Sequence, residues 1–155
     1  MTPQDSSGSV AQPHGGVALP VGVDEAQLAE LAAHAAAVAD RAHSPYSGVR
    51  VGAALLDSEG EVHVGCNVEN ASYGATICAE RAALVAAVAA GAKRLVALSL
   101  WASPKARLLP CGVCRQCLFE FAPELVIDVT SSGTDRARYS LAGLLPGGVT
   151  GDDLV

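Results

Sequence analysis

Apolar side chains recur at helical spacing in three stretches of the chain. Residues 24–42 contain neither Gly nor Pro, and Asp24 is a suitable cap for a helix there. A second helix is predicted at residues 77–90 with Thr76 as its cap, and a third at residues 111–121. The pattern therefore predicts three main helices.

Strands are predicted between these helices. Residues 49–56 and 61–68 flank a turn-rich connector and are typical of a hairpin. Residues 95–101 form a nearly continuous apolar run, which indicates a central strand buried on both faces. A fourth strand is predicted at residues 125–130, and residues 139–145 favour a short helix.

The order of these elements predicts the fold class. The pattern α-β-β-α-β-α-β indicates an α/β fold, a three-layer α/β/α sandwich in which a single mixed sheet carries helices on both faces. At 155 residues the chain suits one domain. Residues 1–22 are rich in Ser, Gly, Gln and Pro, so we expect a disordered tail there and a folded domain at residues 23–155.

Charge and apolar content limit the partners of this chain. Its formal net charge is −6, which argues against a nucleic acid polymer, because such partners usually bind a basic face. A small neutral or cationic substrate is more compatible with this negative charge. No run of about 18 apolar residues indicates a membrane span, and the first residues do not resemble a signal peptide. We therefore expect no membrane partner and a cytoplasmic location.

Two short motifs concentrate the reactive side chains: Cys78-Ala79-Glu80-Arg81 and Pro110-Cys111-Gly112-Val113-Cys114-Arg115-Gln116. Both lie at predicted helix starts, where the positive end of the helix dipole favours thiolates. Three thiolates with an open fourth position are typical of a catalytic Zn²⁺ site. We therefore expect Cys78, Cys111 and Cys114 to bind Zn²⁺.

The number of zinc ligands decides between catalysis and structure. Cys117 lies six residues beyond Cys111, roughly 9 Å along a helix, so we assign it to the core. Cys66 lies just before a predicted loop, and it leaves a closed site with four cysteines as an alternative.

Three charged residues accompany the thiolates. Glu80 is a candidate acid and base for zinc-activated water, although an ordinary glutamate of a first helical turn is the alternative. Arg81 and Arg115 are both able to donate N–H bonds to the sulfurs and so offset the negative charge of three thiolates. We favour Arg81, because a surface or interface ion pair explains Arg115 equally well.

These motifs, in this order, resemble the small, homotetrameric cytidine deaminases over residues 24–151. Three further segments support the resemblance: Ser44-Pro45-Tyr46-Ser47, Val51-Gly52-Ala53-Ala54 and Cys66-Asn67-Val68-Glu69-Asn70-Ala71-Ser72-Tyr73. The resemblance implies zinc-dependent hydrolytic deamination of cytidine and 2′-deoxycytidine to uridine and 2′-deoxyuridine, with release of ammonia, in pyrimidine salvage.

The resemblance also implies roles for particular residues. Zinc is held by the three cysteines of the two motifs, and Glu80 moves protons between water, the ring N3 and the departing ammonia. Asn67 and Glu69 bind the ribose hydroxyls. Ala71 and Tyr73 belong to positions through which neighbouring subunits complete each pocket, so that activity requires a homotetramer with composite active sites.

Two positions depart from the family's pattern. The family usually has Phe where Val49 and Val149 stand, and these rings contact the base. One interpretation is weaker binding of cytidine. The alternatives are a related zinc aminohydrolase that acts on another aminated base, resembling blasticidin-S deaminase, and a noncatalytic module that zinc holds together.

Overall fold

The computed structural model describes residues 16–103, 108–131 and 136–154. Residues 1–15 of the expected tail, and residues 104–107 of the loop before the second cysteine motif, lie outside the described residues. Residues 16–22 contain no helix or strand, and Leu19 packs against the core beneath the first helix.

The described residues form four helices and five strands. The helices are α1 (Glu25–Ala39), α2 (Ala79–Ala89), α3 (Gly112–Phe121) and the short α4 (Leu141–Leu144). The strands are β1 (Val51–Asp57), β2 (Val62–Cys66), β3 (Leu95–Ala102), β4 (Val126–Ser131) and β5 (Arg136–Ser140). Short 3-10 turns occur at Tyr73–Ala75 and Gly151–Leu154. None of the described helices combines the length and the apolar character that a membrane span requires.

The strands form one mixed sheet in the order β2-β1-β3-β4-β5. Strand β1 is antiparallel to both β2 and β3, whereas β3 and β4 are parallel, and β5 returns antiparallel to β4. Since β2 and β3 each oppose β1, they run in the same direction. The chain therefore leaves both β2 and β3 at the same edge of the sheet.

The two faces of the sheet bury separate cores. Ala53 and Leu55 of β1 face the core beneath α2 and α3, and Ala54 and Leu56 face the smaller core beneath α1. This alternation confirms the predicted α/β fold with helices on both faces.

Two glycines allow the helices to approach the sheet closely. A Cβ at Gly52 would lie 1.9 Å from the carbonyl oxygen of Ala35 in α1. A Cβ at Gly65 would lie 2.3 Å from the backbone nitrogen of Ala83 in α2. Real Cβ atoms do not tolerate such distances, so both positions require Gly. The approach at Gly65 sets the position of α2, which carries the first cysteine motif.

An ion-pair cluster around the buried Asp128 joins β4 and β5 to the start of α1. The carboxylate of Asp128 is fully buried and accepts from Nε of Arg136 at 2.8 and 2.9 Å. Arg138 donates to both carboxylate oxygens of Glu25 at 2.9 Å. Burial raises the pKa of Asp128, and the bonds from Arg136 oppose that rise.

Two predictions about elements were wrong. The predicted helix over residues 139–145 begins two residues too early, because Arg136–Ser140 pairs with β4 as a fifth strand and only Leu141–Leu144 is helical. Thr76 does not cap α2, since Cys78 is its N-cap residue. The hydroxyl of Thr76 accepts instead from the backbone N–H of Asn70.

The Asp128 cluster predicts a large stability difference between two matched substitutions. Asp128→Asn removes the buried carboxylate that accepts from Arg136, so we expect the free energy of unfolding to fall by roughly 2 kcal/mol, the range for a hydrogen bond to a charged group. Asp40→Asn breaks the exposed pair with Arg50 and should cost less than about 1 kcal/mol. Urea unfolding of the two variants measures both values, and equal losses would contradict a structural role for the cluster.

Candidate active site

Two helix N-termini meet at the edge of the sheet where the chain leaves β2 and β3. Cys78 is the N-cap residue of α2 and Cys111 is the N-cap residue of α3, both in extended conformation. Neither side chain caps its own helix, so the first-turn N–H groups of both helices lack a cap from the side chain of the N-cap residue. Both helix dipoles consequently favour negative charge at this point.

Three sulfurs lie together there. Sγ of Cys111 is 3.4 Å from Sγ of Cys114 and 4.0 Å from Sγ of Cys78, and all three atoms lie within 4.8 Å of one another. Three sulfurs at about 2.3 Å from one tetrahedral Zn²⁺ would lie roughly 3.8 Å apart. The observed spacing therefore fits a zinc site with three thiolate ligands.

The other two cysteines do not join this cluster. Cys117 is partly buried against the larger core, and Cys66 ends β2 opposite Gly52 of β1. Among the described residues, the group that can hold a metal ion contains three cysteines, as an open catalytic site requires.

The electrostatics of the cluster favour a thiolate at Cys78. The pKa of Cys78 is lowered to about 5 by a hydrogen bond from Cys114, with further contributions from Arg81 and Cys111. The pKa of Cys114 is raised, because its thiol donates to Cys78 and is itself buried. The arrangement of these groups therefore favours the ionised form of Cys78 over that of Cys114.

The guanidinium of Arg81 lies beside these sulfurs. Its Nη2 donates to the carbonyl oxygen of Thr76 at 2.7 Å, and its buried Nε has no hydrogen-bond partner among the described residues. Arg81 is close enough to lower the pKa of Cys78. A cation with a spare donor beside three sulfurs fits a centre that carries more than one thiolate.

Arg115 occupies a different position. Its Nε donates to the carbonyl oxygen of Pro110 at 2.8 Å, and its Nη1 donates to that of Leu144 at 2.9 Å. Arg115 thus ties the segment before Cys111 to the end of α4, and its hydrogen bonds in the structure go to carbonyl groups.

Glu80 lies in the first turn of α2 and is only 6% exposed. Burial raises the pKa of its carboxyl group, and the neighbouring Cys78 thiolate adds to the rise. An ordinary first-turn glutamate would extend into solvent. A buried carboxyl group with a raised pKa, next to a metal-binding cluster, is suited to accept and return protons.

A pocket of about 310 Å³ opens onto this carboxyl group. Its wall includes Val49, Asn67 and Glu69 from the first half of the chain, together with Cys78, Glu80 and Cys111. A larger cavity of about 510 Å³ lies at the opposite end of β3 and β4, but the metal-binding cluster is not part of its lining. The smaller pocket is therefore the candidate active site.

The polar groups of the pocket wall already bind the backbone beside them. Oδ1 of Asn67 accepts from the N–H of Val51 at 2.8 Å, and its Nδ2 donates to the carbonyl oxygen of Val49 at 2.9 Å. The carboxylate of Glu69 accepts from the backbone N–H groups of Tyr46 and Ser47. The hydrogen bond from the hydroxyl of Ser47 is the main cause that lowers the pKa of Glu69.

Three predicted substrate-binding residues lie outside the described lining of this pocket. Ala71 is exposed, and Tyr73 is 76% exposed and contacts the ring of Tyr46 edge-on at 5.9 Å. Val149 is half-exposed, and its carbonyl oxygen accepts from the side chain of Gln116 at 2.7 Å. Within one chain these residues do not meet the carboxyl group of Glu80.

The sequence predicted no role in the site for several residues that shape it. Ser47 and Thr76 line the pocket, and Gln116 holds the segment that contains Val149. Ser47 and Gln116 lie within the motifs quoted above, and this membership was the sequence signal that could have indicated a role in the site. Their partners are 22 and 33 residues away in the chain, so sequence alone did not reveal them.

Known proteins share both the sequence and the fold of this chain. Residues 25–130 match the family model for the cytidine and deoxycytidylate deaminase zinc-binding region. A cytidine deaminase of Halalkalibacterium halodurans is 42% identical over 114 residues, which cover 73% of this chain and 86% of that protein. A cytidine deaminase of Mycobacterium tuberculosis is 48% identical over 99 residues, which cover 63% of this chain and 74% of that protein.

Solved structures agree with these relatives. The crystal structure of cytidine deaminase from Burkholderia pseudomallei superposes with a TM-score of 0.75 at 40% identity, over 78% of this chain and 98% of that chain. The crystal structure of cytidine deaminase from Mycobacterium tuberculosis gives a TM-score of 0.70 at 42% identity, over 78% and 95% of the two chains. The three-thiol cluster, the fold and the matched residues together show that this chain belongs to the cytidine and deoxycytidylate deaminase family.

Proposed function

We propose that this protein is a zinc-dependent cytidine deaminase, which hydrolyses cytidine and 2′-deoxycytidine to uridine and 2′-deoxyuridine and releases ammonia for pyrimidine salvage. The observation that carries the proposal is the burial of Glu80 beside three clustered thiols, at the wall of a pocket of about 310 Å³. Relatives named cytidine deaminase support it.

Cys78, Cys111 and Cys114 hold zinc in this proposal. When bound, zinc lowers the pKa of a water molecule and so supplies a nucleophile near neutral pH. The two helix N-termini stabilise the thiolates, and Arg81 offsets part of their negative charge.

Glu80 carries the protons of the reaction. Its carboxylate accepts a proton from the attacking water and delivers it to N3 of the ring, which makes C4 more electrophilic. The carboxylate then takes up the remaining proton from the hydroxyl group added at C4 and transfers it to the amino group. The C4–N bond breaks, ammonia leaves and the hydroxyl oxygen becomes the C4 carbonyl. The raised pKa of this buried carboxyl group supports both roles, because the group must bind and release a proton in each turnover.

Asn67 and Glu69 bind the sugar hydroxyls, and Val49 forms part of the surface that contacts the base. All three line the pocket, which supports the assignment. Ala71, Tyr73 and Val149 act on a neighbouring subunit's pocket in this proposal, since within one chain they lie apart from the Glu80 carboxyl group.

Replacement of Glu80 tests the reaction. We expect Glu80→Gln to lower kcat for cytidine by at least about 100-fold, because the amide cannot accept the proton of water. It should still bind one zinc ion per chain. The measurements are ammonia release and metal analysis, with Cys114→Ser as the control that loses zinc.

Two outcomes would contradict the proposal. Turnover of cytidine by Glu80→Gln at the wild-type rate would make Glu80 an ordinary helix residue and refute its role in proton transfer. A zinc-loaded wild-type protein that releases no ammonia from either nucleoside would rule out the proposed substrates.

Val49 favours one further candidate, a related aminohydrolase with a wider pocket for another aminated base. If cytidine is the substrate, Val49→Phe and Val149→Phe together should lower its Michaelis constant about tenfold or more, because stacking on an aromatic ring is worth about 1 to 3 kcal/mol per base. Steady-state kinetics with cytidine and blasticidin S measures this. An unchanged or higher constant for cytidine would favour the other substrate.

We also propose that the protein assembles as a homotetramer with composite active sites. Exposed apolar side chains support an assembly surface on α2, where Val85 is 67% exposed and Val88 is 47% exposed. The exposed Tyr73 beside the pocket supports a partner contact close to the site.

A charge on this surface should disrupt the assembly. We expect Val85→Glu to produce smaller species in sedimentation and to lower turnover, because burial of a carboxylate without a partner is costly. Val21→Glu is the matched control, since Val21 is fully exposed and does not belong to α2. A monomeric wild-type protein with full activity would refute the composite site.

A further inference from the structure

The hydroxyl of Ser47 joins two parts of the pocket wall. It donates to Oε1 of Glu69 and accepts from the backbone N–H of Val49 at 3.0 Å. The backbone N–H groups of Tyr46 and Ser47 donate to the other oxygen of Glu69, Oε2, at 2.9 and 3.2 Å. Three donors from two adjacent residues thus converge on one carboxylate that lies 22 residues away in the chain from Ser47.

These bonds determine which acceptor position of the Glu69 carboxylate stays free and where it points. An ionised carboxylate has about four acceptor positions, two on each oxygen. Both positions on Oε2 and one on Oε1 are occupied by the three donors. The fourth position, on Oε1, remains available for a hydroxyl group of a ligand, and its direction depends on the bond from Ser47.

The same hydroxyl helps to fix Val49. The N–H of Val49 is held by Ser47, and its carbonyl oxygen is held by Nδ2 of Asn67. Gly48, between Ser47 and Val49, has a φ of 69°, which lets the chain turn back toward the pocket. Ser47 and Asn67 together therefore fix the backbone of Val49, and so the position of its side chain in the pocket wall.

We infer that Ser47 is a positioning residue for substrate recognition, which aligns Glu69 with a sugar hydroxyl and Val49 with the base of the same nucleoside. The inference rests on the proposed function, since it concerns the same pocket. Ser47 acts through two neighbours and does not take part in the proton transfers of Glu80. Its removal should therefore weaken binding and leave the chemical step intact.

The test separates binding from turnover. We expect Ser47→Ala to raise the Michaelis constant for cytidine about tenfold, which is the effect of losing one hydrogen bond to a charged group. Its kcat should stay within about twofold of wild type. Ser47→Thr keeps the hydroxyl and should restore most of the loss.

Ser44→Ala is the matched control in the same loop, because the hydroxyl of Ser44 makes no hydrogen bond to the part of the chain that the structure describes. It should leave both kinetic constants unchanged. Zinc content and the melting temperature should be equal in all three variants. A Ser47→Ala effect on kcat alone, an equal effect of Ser44→Ala, or a failure of Ser47→Thr to restore binding would overturn the inference.

Calorimetric titration of cytidine distinguishes this inference from the proposed function. Binding is measured in the Glu80→Gln background, where turnover does not interfere, with and without Ser47→Ala. A tenfold loss of affinity supports the role of Ser47, even if wild-type protein releases no ammonia and the proposed reaction is wrong. Equal affinity in the two proteins, or no binding of cytidine to either, overturns the inference.

Discussion

The site depends on the convergence of two helix N-termini at one edge of the sheet. Strands β2 and β3 run in the same direction because each is antiparallel to β1, so the segments that follow them emerge at the same edge. Those segments lead into α2 and α3. The close approach at Gly65 brings the first turn of α2 against β2, and the parallel β3-α3-β4 connection places the start of α3 nearby. Sheet topology thus determines where the cysteines meet.

Charge balance is the second constraint on the cysteine cluster. Three thiolates around one divalent cation leave a net negative centre, which would hold the proton of a bound water more tightly. The structure places three positive influences there: the N-terminus of α2, the N-terminus of α3 and the guanidinium of Arg81. The fold therefore supplies the electrostatic compensation that a ligand set without histidine requires.

Much of this arrangement was predictable from local patterns. The three long helices, four strands and both cysteine motifs follow from periodicity, capping and spacing, and the predicted fold class is confirmed. Strand β5 was missed because its alternation of Arg and Ala or Tyr covers only five residues, and two arginines suggest a surface loop. Arginine occurs in this strand because of a tertiary contact, since Arg136 pairs with the buried Asp128 of β4. The hydroxyl of Ser47 was missed for the same reason, since its partner Glu69 is brought close only by the β1-β2 hairpin.

The structure separates the residues proposed for the chemical step from those proposed for recognition. Cys78, Glu80 and Cys111 lie at helix termini fixed by the core, where a shift of one side chain disturbs close packing. Val49, by contrast, lies on the segment before β1, which is held by hydrogen bonds at the surface of the domain. A substitution there alters the pocket wall with little effect on the core. A change of side chain at position 49 would therefore alter the pocket wall while the metal-binding cluster and the carboxyl group of Glu80 keep their places in the core.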